Sequence, residues 1–307
     1  MTYTWRALTV ADAPRWAAFT KIVSDADDAD EVYSAEDLAE ELEDPGLDLE
    51  HDTMAVEDGD TLVAVGQAGP LMLRPDGTVR ADFAGAVHPD HRGRGLGTEL
   101  LGRLQRRCAE RAKVEFAGAP VQIRTAIGAP VAAARALLEA HGYGVARYFH
   151  TLTRGLSDVA PFDDARVQPY DVARDPEVHA AHCEAFSTHW GFAPPDADMW
   201  RTWLTGSRTF RPANSVVGLG PDGVIEGYGL CYQYQPDELV IGQLGVLPAA
   251  RGQGLARAML QRILAVAAPT YAVAKLDVDS ENADGAGRLY ESAGFVRQRS
   301  NAIYIQS

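Results

Sequence analysis

Apolar residues in the second half of the chain change rhythm in a way that marks out strands and helices. Ser215–Gly220 is a short apolar run, Pro221–Asp222–Gly223 reads as a turn, and Val224–Gln233 and Glu238–Val246 follow as two further strands. Leu255–Ala267 then opens a helix. Tyr271–Val278 reads as a strand, and Asn282–Ala293 as a helix that Gly294 ends in a left-handed cap. Final strands are predicted at Phe295–Gln298 and Ala302–Ile305. Upstream, Pro176–Phe186 and Asp196–Thr205 read as helices, the second starting just after Pro194–Pro195.

The first half repeats this order. RGRGLG at Arg92–Gly97 and RGQGLA at Arg251–Ala256 lie 159 positions apart, and Val87 and Val246 keep that offset. LLEAHGYG at Leu137–Gly144 matches LYESAGFV at Leu289–Val296 at an offset of 152, so seven positions of slack fall between the anchors, within what loops tolerate. The chain therefore divides into units 1–154 and 165–307, joined by GLSDVAPFDD at Gly155–Asp164. The predicted class is α+β: in each unit a mixed, mostly antiparallel sheet flanked by helices.

Composition narrows the function classes. With 307 residues and 46% apolar content, the chain suits two globular cores. A formal net charge of −15 argues against nucleic acid as a general partner. The acidic stretch Asp25–Asp60 is either a rim for a cationic ligand or a solvated helix with its loops. No apolar run suits a bilayer, and MTYTWRALTVADAPRW lacks the form of a secretory leader. Cys108, Cys183 and Cys231 are few, odd in number and far apart, which fits a reducing compartment, so a cytoplasmic location is expected. Lys21, Lys113 and Lys275 are the only lysines, a bias typical of high-GC bacteria.

Both glycine strings sit between a strand and a helix. The first amides of a helix have no internal partners and favour anions. Glycine admits a phosphate close to the backbone, and the leading arginine adds charge and donors. A dinucleotide turn needs a longer glycine spacing and a later acidic residue, and a P-loop needs a Lys followed by Ser or Thr; neither pattern is present. The remaining alternative, a glycine-rich turn without ligand, suits one copy better than two.

At these residues the sequence resembles the Gcn5-related N-acetyltransferase (GNAT) family, with its Q/R-x-x-G-x-G/A turn and the downstream pattern seen here as NADGAGRLYESAGF at Asn282–Phe295. The resemblance implies two tandem GNAT folds and acetyl-CoA as acyl donor, with no metal. It implies that Arg251, Gly252, Gln253, Gly254, Leu255 and Ala256 hold the pyrophosphate, that Leu244, Gly245 and Val246 contact the pantetheine arm, and that Asn282 lies near the sulfur. The corresponding first-unit residues are Val87, Arg92, Gly93, Arg94, Gly95, Leu96 and Gly97. Tyr290 occupies the family's general-acid position. At the 152 offset Tyr290 falls on Leu138 and Asn282 on Pro130, so the first unit is expected to be catalytically degenerate and the second catalytic. The expected acceptor is a primary amine on a small molecule, and the chain is expected to be a monomer or homodimer. Several relatives place a glutamate six residues before the valine equivalent to Val246; here that residue is Val240. Glu238, on the same strand face, is the candidate base acting through water, its alternative being an exposed carboxylate at the start of a strand.

The remaining candidate groups each have a simpler alternative role. HAAHCE (His179–Glu184) lacks a second ligand pair for zinc and reads as a helix face beside the acceptor cleft; HPDH (His88–His91) reads likewise. His189 and Trp190 are candidates for the acceptor pocket, with core anchoring by Trp190 as the alternative. Cys231 lacks a visible activating base and reads as a core residue.

Overall fold

The computed structural model describes residues 3–29, 32–128, 131–282 and 285–306. Its contacts group the chain into two compact units, 1–148 with 300–307, and 149–299. In the first unit, β1 (Thr4–Arg6) is followed by α1 (Ala13–Asp27), α2 (Ala35–Leu42) and α3 (Leu49–Asp52). The antiparallel meander β2 (Thr53–Asp58), β3 (Thr61–Leu73) and β4 (Val79–Val87) comes next. Helix α4 (Leu96–Glu115) crosses over to β5 (Val121–Ile127), which lies parallel to β4; α5 (Ala132–Ala140) and β6 (Tyr143–Gly155) follow.

The second unit takes Phe149–Gly155 of β6 and repeats the order. It contains β7 (Val167–Pro169), α6 (Asp175–Ala185), α7 (Ala197–Trp200), β8 (Val216–Leu219), β9 (Ile225–Gln235) and β10 (Glu238–Val246). Helix α8 (Leu255–Ala267), β11 (Val273–Asp279), α9 (Ala286–Ser292) and β12 (Val296–Gln306) complete it. Strands β7 to β10 are antiparallel neighbours, while β10 and β11 are parallel. The helix predicted at Asp196–Thr205 is α7 continued by one wider π turn at Arg201–Thr205.

The end of the chain departs from the linear reading. The two predicted final strands are one strand, β12, and its residues Ala302–Ile305 pair with Arg124–Ile127 of β5. Ser300–Ser307 is thus grouped with the first unit and Phe149–Gly155 with the second, whereas cuts at residues 154 and 165 separate the halves in order. Sequence periodicity carries no record of which sheet a strand joins.

What positions the site is the seating of α8 on its sheet. Leu255, Met259 and Ile263 form an i, i+4, i+8 stripe, each no more than 3% exposed. A Cβ at Gly218, Gly227 or Gly229 would come within 2.7–2.9 Å of these side chains, so the glycines are the notches that receive the helix. Each such side chain contributes about 1.5–3 kcal/mol by leaving water. In the first unit, Gly66 and Gly85 receive Leu100 and Leu104 of α4 in the same manner. Each sheet carries a core on both faces: under α8 in the second unit, and on its other face around Trp200, Tyr228, Leu230 and Tyr232.

Candidate active site

The two glycine strings fold alike. Gly93 and Gly95 have φ of 73° and 85°, and Gly252 and Gly254 have φ of 78° and 76°. A Cβ at any of the four would meet nothing within 4 Å, so the space above each turn is open. Gly95 and Gly254 are the N-caps of α4 and α8, and no side chain caps either helix. The first-turn amides therefore face outward at the positive end of the helix dipole, in a concavity suited to phosphate oxygens.

The leading arginines face inward. Arg251 Nε donates to the Val246 carbonyl at 3.2 Å, and its Nη2 donates to the Ala185 carbonyl, at the end of α6, at 2.9 Å. Arg92 Nε donates to the Val87 carbonyl at 3.1 Å, and its two terminal nitrogens grip Asp27, the last residue of α1, at 2.7 Å each. In both copies the arginine ties strand, turn and the preceding helical layer together, and the turn's backbone faces the open space. This partner set was missed in the sequence, because Asp27 lies 65 residues from Arg92 with no periodic signal linking them.

The strands before the turns open into a cleft. β10 pairs with β11 only at Glu238↔Val273, Leu239↔Ala274 and Val240↔Lys275, and the remainder of the two strands diverges. β4 and β5 likewise pair only from Val79↔Val121 to Asp82↔Arg124. The Leu247 amide donates to the Glu226 carbonyl at 2.8 Å, which fixes the alternation along β10. Leu244 and Val246 stand at non-hydrogen-bonded positions opposite β9, so their amides point into the opening; Gly245 turns its backbone toward Tyr228 instead. The His88 amide bonded to Val63 sets the same phase for Gly85 and Val87.

One feature distinguishes the clefts. Between the pairs Ile241↔Cys231 and Gln243↔Leu230, β10 advances two residues against one, a β-bulge at Gly242. Tyr232 lies over it: a Cβ at Gly242 would come within 2.6 Å of the ring. In the first unit the extra residue lies on β3, between Ala68 and Leu71, and β4 runs straight. A glycine inside an apolar strand was the available sequence signal.

Tyr290 is 8% exposed and packs in the core under α8 with Leu276 and Val278, against which Leu244 and Val246 also pack. Burial pushes its phenol up to about 12, so it keeps its proton at neutral pH. The hydroxyl makes no hydrogen bond to a described residue, yet it is not among the sealed polar atoms. Leu138 of α5 is buried in the matching core of the first unit. Asn282 follows β11, its amide bonded to the Asp279 carbonyl at 3.1 Å; Pro130 lies outside the described residues.

Other predicted residues are dispersed. Glu238 sits at the closed end of the β10–β11 pair, 3.4 Å from Lys275 Nζ. Eight residues of strand, about 26 Å, separate it from Val246, so it is not brought together with Tyr290. Trp190 packs on Phe149, centroids 6.5 Å apart, and His189 packs on Phe186 at 5.5 Å. His179 Nε2 lies 2.9 Å from the Pro195 carbonyl, and His182 Nδ1 lies 2.7 Å from the Tyr228 hydroxyl, so these two histidines serve the packing of α6. Cys231 is buried in the core. A pocket of about 260 Å³ beside the first turns of α8 is lined by Arg154, Arg257, Gln261 and Ser292, among others. Among the described residues no cluster of metal-ligating side chains occurs, and no helix is long and apolar enough to cross a membrane.

Comparison with known proteins agrees with this geometry. The profile of the acetyltransferase (GNAT) family matches residues 16–143 and again 176–295. The mycothiol acetyltransferase of Kineococcus radiotolerans is 33% identical over 252 residues, 77% of each chain, and that of Streptomyces scabiei is 27% identical over 260 residues, 79% of this chain and 78% of its own. A GCN5-related N-acetyltransferase from Sphaerobacter thermophilus superposes with a TM-score of 0.78 at 26% identity, covering 99% of this chain and 95% of its own. A tandem GNAT protein from the clavulanic acid biosynthesis pathway shares the fold, with a TM-score of 0.70 at 14% identity, covering 99% of this chain and 98% of its own.

Proposed function

Because the chain belongs to the GNAT family of acetyltransferases, in two copies, we propose that it transfers the acetyl group of acetyl-CoA to a primary amine of a small molecule, and that the second unit carries the reaction. The observation that bears most weight is the coincidence, in one cleft, of the bulge at Gly242 and the buried Tyr290, where the other cleft has a straight β4 and Leu138.

The acyl donor brings an activated thioester; the remaining chemistry belongs to the chain. The amides of Gly252–Ala256 bind the pyrophosphate, and Arg154 and Arg257 offer guanidinium groups to the outer phosphate beside α8. The Leu244 and Val246 amides, already aimed into the opening, bind the arm and the developing oxyanion without reorganising. Tyr290, protonated by virtue of its burial, donates a hydrogen bond to the departing sulfur. The first unit retains the phosphate turn and the matching Gly85 and Val87 amides but has Leu138 in place of Tyr290, and is a binding or scaffolding copy.

The name borne by the Kineococcus and Streptomyces relatives supports mycothiol formation as the specific role, with the cysteinyl amino-sugar inositol as acceptor. The test is thiol release from acetyl-CoA against a panel of amines that includes this compound, antibiotics, amino acids and polyamines. Release confined to the cysteinyl compound establishes the specific role. Release with another amine moves the role to that acceptor, and binding of CoA with no release from any amine refutes the transferase reading.

A further inference from the structure

We propose that Asp277 of β11 is the group that takes the proton from the attacking amine, an assignment that rests on the transferase reading above. Ala274, Leu276 and Val278 are buried under α8, so Lys275 and Asp277 project from the opposite face of β11. On β10, Leu239 and Ile241 lie under α8 before the bulge and Leu244 and Val246 after it, which leaves Val240 and Gln243 on the face of Asp277. The last paired residues are Val240 and Lys275. Gln243 and Asp277 are therefore the first side chains past the divergence on that face, one on each wall of the opening.

Asp277 lies one strand across from Val240 and one same-face step further along, so β11 supplies this face with a carboxylate. Asp277 is exposed, and its Oδ1 accepts a hydrogen bond from Thr151 Oγ1 at 2.6 Å, which holds the group in place. Its Oδ2 has no hydrogen bond or ion pair to a described residue. Phe149, one same-face step from Thr151, carries Trp190 against it and forms an aromatic wall beside the carboxylate. The other ionisable groups on this face of β10 and β11 are otherwise engaged: Glu238 pairs with Lys275, and buried Asp279 accepts the Glu281 amide.

Tyr290 lies under α8, on the other side of the slot, so the proton acceptor and the hydrogen-bond donor address the thioester from opposite faces. An incoming ammonium gives one proton to the Asp277 carboxylate. The amine lone pair forms the C–N bond, the C–S bond breaks toward Tyr290, and the second amine proton leaves with the thiol. Asp277 returns its proton to solvent, so one proton is released per turnover.

The test uses the full chain with Asp277→Asn and Asp277→Glu. Asp277→Asn is expected to lower kcat by about 10²–10⁴-fold and to abolish the acid side of the kcat/KM–pH profile, with Asp277→Glu recovering part of the rate. A second readout is calorimetry of amine binding to the CoA complex in two buffers of different ionisation heat, where the proton transfer seen in the wild type disappears in Asp277→Asn. CoA binding in both variants at the wild-type constant shows that the fold is intact. Wild-type turnover with Asp277→Asn equally active, or the pH dependence lost in Glu238→Gln instead, overturns the assignment alone. A wild-type enzyme that binds CoA yet acetylates no amine overturns the transferase reading and this assignment with it.

Discussion

Lowering the pH from 7 to 4.5 protonates His182 in the unfolded chain, while the folded second unit, with no means to solvate the charged ring, keeps it largely neutral. His182 is 8% exposed, with Phe186, Phe192, Trp200 and Tyr228 around its ring and Nδ1 2.7 Å from the Tyr228 hydroxyl. Burial, reinforced by His179, pushes its pKa down to about 4, against about 6.5 for an ordinary histidine. The native state therefore binds the proton less readily than the unfolded chain. The stabilisation is fully present above pH 6.5 and is lost as pH falls toward 4. At 1.36 kcal/mol per pH unit the gap amounts to about 3 kcal/mol, or roughly 6–12 °C in the melting temperature of a unit this size. The effect reaches the cleft, because the Tyr228 ring packs on Gly245, where a Cβ would lie 2.7 Å from Cε1. Melting temperature measured from pH 7.5 to 4, for wild type and His182→Phe, checks this. The variant starts about 1–3 kcal/mol lower, since the Tyr228 hydroxyl loses its partner, and its pH slope is flatter between 6.5 and 4. Carboxylates such as Asp164, which Arg166 holds down to about 2, lose their contribution only below that window. Equal slopes in the two proteins would refute the argument.

Four substitutions probe the site itself. Tyr290→Phe should lower kcat by about 10–10²-fold with CoA affinity unchanged in calorimetry, since only the phenol hydroxyl is removed; an unaltered kcat removes Tyr290 from the chemistry. Gly254→Ala and Gly95→Ala should each cost about 1–2 kcal/mol in thermal unfolding, because both positions hold a positive φ. The loss of kcat/KM should be at least about tenfold larger for Gly254→Ala, and the opposite order would transfer catalysis to the first unit. Arg251→Met should destabilise by about 1–3 kcal/mol by freeing the Ala185 and Val246 carbonyls, and should raise KM for acetyl-CoA more than it lowers kcat; a kcat effect with KM unchanged would refute its role as a clamp.

Local chemistry was legible in the sequence, and distant pairing was not. The bounds of β10 and α8 follow from apolar runs flanked by turn residues, and both glycine turns are visible because positive φ and open space call for that residue type. The arginines illustrate the limit. Their presence beside the turn is plain, but their direction depends on Asp27 and on the Ala185 carbonyl, which only the fold brings near. Glu238 and Asp277 show the same limit from the other side. Period-two alternation correctly puts Glu238 and Val240 on one face, yet it contains no information on where β11 leaves β10. That divergence, after Val240↔Lys275, decides which carboxylate borders the opening.

The two units also differ in what holds each glycine turn and the residues beside it. The arginine at the head of each turn binds the carbonyl of the last residue of β4 or β10 and reaches the preceding helical layer, so removing it loosens strand, turn and helix together. Folding alone is enough to hold that arrangement in place. Leu138 fills the Tyr290 position at no such cost, because an aliphatic side chain packs in the same apolar setting and leaves no hydroxyl to satisfy. β4 carries no extra residue of its own, the irregularity of its ladder lying on β3, whereas β10 gives up one step to the bulge at Gly242. In the second unit the bulge and the buried phenol run against local preference. Features of that kind persist where function holds them, which is the physical reason to look for turnover at Gly242 and Tyr290 and not at Leu138.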